Sequence, residues 1–270
     1  MKIELRYREA LCDVRRLVVK IGSRVLVQRT GRPDVRRMRA LVEELAAMRH
    51  AGREVVVVTS GAIGAGMEAL GMRQRPTLLP DLQMAAAVGQ TRLMSRYDAL
   101  FAKKNCRVGQ MLLTHGDFQH KIRLTNARRT IVNLLRHKVI PIVNENDVVA
   151  DEEIRADLAL GDNDYLASLV VKLIRADLLI LLTTTDGVRD TRPEMRGRRI
   201  SYIEEVNAKT LALVTASDTR LSKGGMATKL RAAQDVARTG CAAVIANGRE
   251  TGILTRVLAG EDRGTIVLAG

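Results

Sequence analysis

Aromatic residues make up only 2% of this 270-residue sequence, and tryptophan is absent. That leaves few stacking platforms for single-stranded nucleic acid. A formal net charge of +14 and a pI near 10.3 would otherwise suggest a polyanion partner. The basic residues, among them Arg36, Arg37, Arg39, Arg128, Arg129, Arg198 and Arg199, are scattered rather than gathered into one stripe. No nucleic-acid partner is expected.

Cysteine is scarce as well. Cys12, Cys106 and Cys241 lie far apart, are odd in number and contain no Cys-x-x-Cys, which argues against a disulfide framework and fits a reducing cytosol. Each reads as a small buried hydrophobe. Clear apolar runs such as Leu178 to Leu182 fall far short of the ~18 residues that a membrane helix needs. Met1 to Arg16 mixes Glu4, Arg6, Arg8, Glu9 and Asp13 with isolated apolar residues, unlike a secretory signal. The expectation is a soluble, cytoplasmic protein with no membrane contact. There is no Gly-Lys dipeptide, hence no P-loop, and His50, His115, His120 and His137 show no metal-ligand spacing. No protein-bound metal is predicted.

What is present is 46% hydrophobic residue, enough to bury a full core in one large domain. Short β-branched or leucine-rich runs alternate with longer segments of helical period, the pattern of a mainly parallel α/β sheet covered by helices on both faces. The predicted strands are Leu17 to Ile21, Val55 to Thr59, Val108 to Leu113, Val139 to Val143, Leu178 to Thr183 and Ala242 to Ala246. Pro33 and Asp34 start a helix whose stripe is Val35, Met38, Leu41, Val42 and Leu45, ending at Ala51-Gly52. Further helices are predicted over Leu82 to Lys104, Leu124 to His137, Asp162 to Arg175 (with Leu166, Leu169, Val170 and Leu173 on one face) and Met226 to Thr239. Thr185 to Ser201 reads as a surface excursion or small hairpin.

Two lysines stand beside glycine-rich turns: Lys20 at the end of the first strand, followed by Gly22, and Lys229 in the first turn of a helix opened by Gly224-Gly225. A cation there is locally unfavourable unless an anion compensates it. Two fixed cations and exposed N–H groups suit a phosphoryl group passing between oxygens, which is catalysed mainly by positioning and charge. Ordinary snorkelling lysines would look similar. Val55 to Thr59 runs into Ser60-Gly61-Ala62-Ile63-Gly64-Ala65-Gly66, where small residues would admit a ligand to the backbone. Gly64, Gly66 and Ala69 also fit a dinucleotide fingerprint, but no second strand ending in an acid follows, and hydride transfer is set aside. Asn144-Glu145-Asn146-Asp147 and Gly161-Asp162-Asn163-Asp164 are either turn and cap residues or amides and carboxylates for the ammonium and carboxylate of an amino acid.

Seven segments in order carry a resemblance: residues 18 to 23, 58 to 63, 86 to 90 (Ala-Ala-Val-Gly-Gln), 108 to 114, 144 to 147, 161 to 164 and 224 to 229. From about Arg15 to the end the sequence resembles the amino acid kinase superfamily and, within it, the glutamate 5-kinase family. The resemblance implies a three-layer αβα sandwich that uses ATP and Mg²⁺ to phosphorylate the γ-carboxylate of L-glutamate, the first step of proline biosynthesis. It implies Lys20 and Lys229 as charge stabilisers, Asp164 as their holder, and N–H groups from Gly22 and Gly61. Ser60, Gly61, Asn144, Asp147 and Asn163 match substrate-binding positions. Lys20, Thr183, Thr184 and the run Lys223, Gly224, Gly225, Met226, Ala227, Thr228 and Lys229 match nucleotide-binding ones. It also implies a homo-oligomer, proline as feedback inhibitor and association with glutamyl phosphate reductase. A single kinase domain over residues 1–270 is expected, without the C-terminal PUA domain of many relatives. Three departures stand out: Thr184 in place of an aspartate, Ser222-Lys223 in place of Gly-Thr, and a longer loop around Arg155 to Leu160. They keep open another carboxylate or phosphate kinase of the superfamily, or a catalytically weakened regulatory homologue.

Overall fold

The computed structural model describes residues 8–28, 33–149, 163–190, 197–215 and 225–270. The six predicted strands form as β1 (Arg16–Ile21), β2 (Glu54–Val58), β3 (Arg107–Leu113), β4 (Val139–Glu145), β5 (Leu178–Thr183) and β7 (Ala242–Asn247). Two short strands escaped the sequence reading, β6 (Tyr202–Ile203) and β8 (Thr265–Val267). All eight belong to one sheet in the order β3-β4-β2-β1-β5-β7-β8-β6, parallel except where β8 runs antiparallel to β7.

Among the described residues the helices are α1 (Val35–His50), α2 (Ala62–Ala69), α3 (Leu79–Ala102), α4 (His115–Gln119), α5 (Lys121–Arg136), α6 (Asn163–Ile174), α7 (Ala208–Thr215), α8 (Met226–Ala237) and α9 (Ile253–Leu258). Asp34 caps α1, accepting the Arg37 N–H at 2.9 Å. The buried stripe of α1 begins at Met38 rather than Val35, which is 43% exposed. On α6 the buried face is shifted by a residue, to Leu166, Ala167, Val170, Val171 and Ile174, and Leu169 lies outside it. The Thr185 to Ser201 excursion is partly described, and its stems meet in an antiparallel bridge between Arg189 and Arg199.

Strand parity divides the core in two. Leu17, Val19 and Ile21 of β1 pack with α1, α3 and α9, while Val18 packs on the other face with Val56, Val58, α5, α6 and α8. By the same alternation Lys20 shares the face of Val18. The sheet therefore delivers the lysine to the side on which α6 and α8 begin.

Helices α2 and α3 touch backbone to backbone. A Cβ on Gly66 would lie 1.8 Å from the Ala85 carbonyl oxygen, and one on Gly89 would lie 1.7 Å from that of Ala62. Gly66 thus serves helix packing, which accounts for the glycine of the apparent dinucleotide fingerprint. Gly89→Ala is expected to destabilise the fold by about 3 kcal/mol or more, since neither backbone can yield. Gly64→Ala meets nothing within 4 Å and is the control. Urea midpoints check both; equal midpoints would remove the packing role.

Candidate active site

Parallel strands end at one edge of the sheet, and ligands of open α/β sheets bind there. At that edge Lys20 stands next to Val58 of β2 and Leu181 of β5 in register. Its ammonium lies 2.6 Å from Oδ1 of Asp164, in the first turn of α6. Lys229, in the first turn of α8, lies 2.9 Å from Oδ2 of the same carboxylate. The Thr228 hydroxyl also donates to Oδ2, at 3.1 Å. Lys20 and Lys229 are each 3% exposed and Asp164 is fully buried.

Burial alone would push the Asp164 carboxyl up, but Lys20 and then Lys229 outweigh it and hold the group below the usual carboxylate range. Two buried ammonium groups thus meet at one carboxylate. A second set of bonds holds α6 against α8 farther along: Asp235 accepts from Lys172 at 2.6 Å and from Ser168 at 3.2 Å.

On the β2 and β4 side a chain of side chains runs across the strand ends. Asn163 Nδ2 donates to Ser60 Oγ at 2.8 Å and to Asn144 Oδ1 at 3.2 Å, and Asn144 Nδ2 donates to Gln90 Oε1 at 2.8 Å. Two buried atoms in this chain have no hydrogen-bond partner, Gln90 Nε2 and Asn163 Oδ1. Ser60 is held from below. Thr59, fully buried, meets the Tyr97 hydroxyl of α3 at 2.8 Å, and burial raises the Tyr97 phenol above its usual range. Gly61 takes φ +109°, a value L side chains rarely adopt, and so turns the chain from β2 into α2, whose first-turn N–H groups lack intrahelical acceptors. Asp147 sits half-buried in the turn after β4, which closes through a Val149 N–H to Asn146 carbonyl bond of 3.2 Å.

The other side of Lys20 holds the residues matched to a nucleotide. Thr183 ends β5 with its carbonyl accepting from Gly248 at 2.8 Å, and half-buried Thr184 follows. Gly225 is the N-cap of α8, with Met226, Ala227 and Thr228 in its first turn. Lys223 and Gly224 lie outside the described residues, as do Asp162 and the 155–160 loop.

One expectation is corrected. The Gly22 N–H, predicted to face a ligand, instead donates to the Leu182 carbonyl at 3.2 Å, because β1 keeps its pairing with β5 one residue past its end. What Gly22 supplies is clearance: a Cβ there would sit 3.2 Å from that carbonyl oxygen and 3.9 Å from the Lys20 ammonium. Gln90 and Tyr97 were not singled out as site residues. The signal for Gln90 was a lone amide at the end of the small apolar run Ala85-Ala86-Ala87-Val88-Gly89.

No helix among the described residues is long and apolar enough to cross a membrane. The amino acid kinase family model matches residues 15–247. The chain is 45% identical over 263 residues to glutamate 5-kinase of Moorella thermoacetica, spanning 97% of this chain and 68% of that protein. It is 41% identical over 254 residues to glutamate 5-kinase of Lactiplantibacillus plantarum, spanning 93% and 96%. Among solved structures, UMP kinase from Bacillus anthracis shares the fold, with a TM-score of 0.60 over 95% of this chain and 96% of that one at 17% identity. By the extent of the family match and of these relatives, the chain belongs to the amino acid kinase family and, within it, to the glutamate 5-kinases.

Proposed function

We infer that this chain transfers the γ-phosphoryl group of ATP to the γ-carboxylate of L-glutamate, giving glutamyl 5-phosphate and ADP, the first step of proline biosynthesis. The observation that carries the reading is the buried Lys20–Asp164–Lys229 cluster, poised between the amide chain and the start of α8. A carboxylate oxygen of glutamate attacks the γ-phosphorus as the bond to the β-phosphate oxygen breaks. No protein base is needed, because a glutamate side chain of pKa ~4.3 is already ionised near neutrality. Lys20 and Lys229 stabilise the charge spread over the transferring group, and Asp164 fixes both ammonium groups before the nucleotide arrives. Ser60, Asn144, Asp147 and Asn163, with Gly61 and the first turn of α2, receive glutamate. Gly22 keeps the approach to Lys20 open. Thr183, Thr184 and the 223–229 segment receive the nucleotide.

Mg²⁺ fits as an ion carried by ATP. Among the described residues no group of three His, Cys, Asp or Glu side chains gathers that could hold it on the protein alone. When bound it neutralises the β- and γ-phosphates. The acyl phosphate product is labile, which favours prompt consumption by glutamyl phosphate reductase, and we extend the proposal to a cytoplasmic homo-oligomer open to inhibition by proline.

A hydroxylamine trap tests the reaction. Purified protein with ATP and Mg²⁺ should give hydroxamate with L-glutamate and not with aspartate, N-acetylglutamate or no acceptor. Hydroxamate with another acceptor would reassign the substrate. Silence with all of them, from folded protein that binds ATP, would mark a regulatory homologue and point to Thr184 and Lys223 as the reason.

A further inference from the structure

We propose that the Thr228 hydroxyl is a positioning group that joins the first turns of α6 and α8 through Asp164, and is not a ligand of the nucleotide; this rests on the phosphoryl-transfer reading above, in which the 223–229 segment receives ATP. Thr228 is half-buried in the first turn of α8. Its Oγ1 lies 2.9 Å from the Gly225 carbonyl oxygen and 3.1 Å from Asp164 Oδ2. Both partners only accept, because Lys20 and Lys229 hold the carboxyl below the usual carboxylate range and so ionised near neutrality. The hydroxyl must therefore donate, whichever of the two takes its hydrogen. Phosphate oxygens are acceptors as well, and turning the single hydrogen to one of them would abandon both protein partners.

Two consecutive residues of α8 thus meet one carboxylate oxygen, since the Lys229 ammonium lies 2.9 Å from the same Oδ2. They constrain it differently. Lysine reaches over a flexible four-carbon stem and can follow the carboxylate from many placements of its helix. Threonine is short and restricted at χ1, so its bond fixes how far the α8 backbone stands from α6. The start of α8 has little else to fix it. Gly225, the N-cap, makes no side-chain bond, and the Lys229 N–H reaches the Gly225 carbonyl at only 3.4 Å. With Oδ2 held toward α8, Oδ1 faces Lys20 at 2.6 Å. Thr228 touches no reacting atom and acts through Asp164 on the spacing of the two ammonium groups, which phosphoryl transfer depends on.

Hydroxamate kinetics and calorimetric titration with a non-hydrolysable ATP analogue test the inference. Thr228→Val has the shape of threonine without its hydroxyl, and Thr228→Ser keeps the hydroxyl. Thr228→Val should lower kcat about tenfold, with the KM for glutamate and the Kd of the analogue changed less than about threefold. Thr228→Ser should stay within about threefold of the wild-type kcat. A Thr228→Val enzyme within about threefold of wild type, or equal losses in the two variants, would overturn the inference. So would an analogue Kd raised more than about threefold in Thr228→Val, which would make the hydroxyl a nucleotide ligand.

A second readout does not depend on turnover. A bond donated to ionised Asp164 lowers the folded-state pKa of that group, so its stabilisation is present above the ordinary carboxylate value and is lost as pH falls through the depressed one. The urea midpoint of Thr228→Val should therefore lie below that of wild type near neutrality, and the gap should narrow below about pH 4. Lys20 from β1 and Lys229 from α8 face the carboxylate in both proteins, so the gap isolates the hydroxyl. A gap undiminished in acid, or no gap at neutrality, would overturn the inference. If the wild type shows no glutamate-dependent turnover, the glutamate reading falls and this gap alone decides the role of Thr228.

Discussion

Lys229→Met is expected to lower kcat by about 10²–10³-fold while the protein stays folded. Lys20 and Lys229, each 3% exposed, share the Asp164 carboxylate at 2.6 and 2.9 Å. Methionine matches the lysine stem in length and apolar character, and its substitution leaves the 2.6 Å pair of Lys20 and Asp164 in place. The transferring phosphoryl group meanwhile loses one of its two fixed cations. Hydroxamate kinetics and a thermal melt on the same preparation measure both effects. An unchanged kcat would remove Lys229 from the chemistry, and a sharp fall in melting temperature would show that its main role is structural.

Asp164→Asn should lower stability by about 3–5 kcal/mol, because two buried ammonium groups lose the carboxylate they share. Activity should fall as well, since neither lysine is then held in place. The pH dependence separates this from simple loss of packing. The folded-state pKa of Asp164 lies below the ordinary carboxylate value, so its contribution is fully present above that ordinary value and is lost as pH falls through the depressed one. The stability difference between wild type and Asp164→Asn should therefore be constant near neutrality and shrink below about pH 4. Urea unfolding at a series of pH values reads it. A difference that persists undiminished into acid would mean that the carboxylate's charge is not what holds the lysines.

How far the sequence could be read follows from the kind of information each element uses. All of the long strands but the edge strand β3 are buried along most of their length, so their β-branched and leucine-rich runs stand out, and the bounds of all six agree with prediction to within two residues. Tyr202–Ile203 and Thr265–Val267 span two and three residues, too few to show a period, and exist because β7 offers an edge to pair with. Lys20, Asp164 and Lys229 were legible as unusual residues at strand ends and helix starts. That they meet at one carboxylate is a matter of strand parity and of how α6 and α8 cross the sheet, which no local pattern encodes. The Gly22 N–H was misread for a related reason: whether a backbone donor is spare depends on how far the neighbouring strand runs. Gln90 was visible as a motif letter, yet its significance comes from Asn144, 54 positions away.

The crossing at Gly66 and Gly89 has a bearing on dynamics. Helix α2 spans only eight residues and would not persist in water by itself. Interlocked with the 24-residue α3, it opens only when that longer helix separates from it. The turn that carries Ser60 and Gly61 and the helix that carries Gln90 and Tyr97 therefore form one cooperative unit, whose exchange of amide hydrogens reports a single opening event. The β2 side of the site thereby behaves as a stiff anvil.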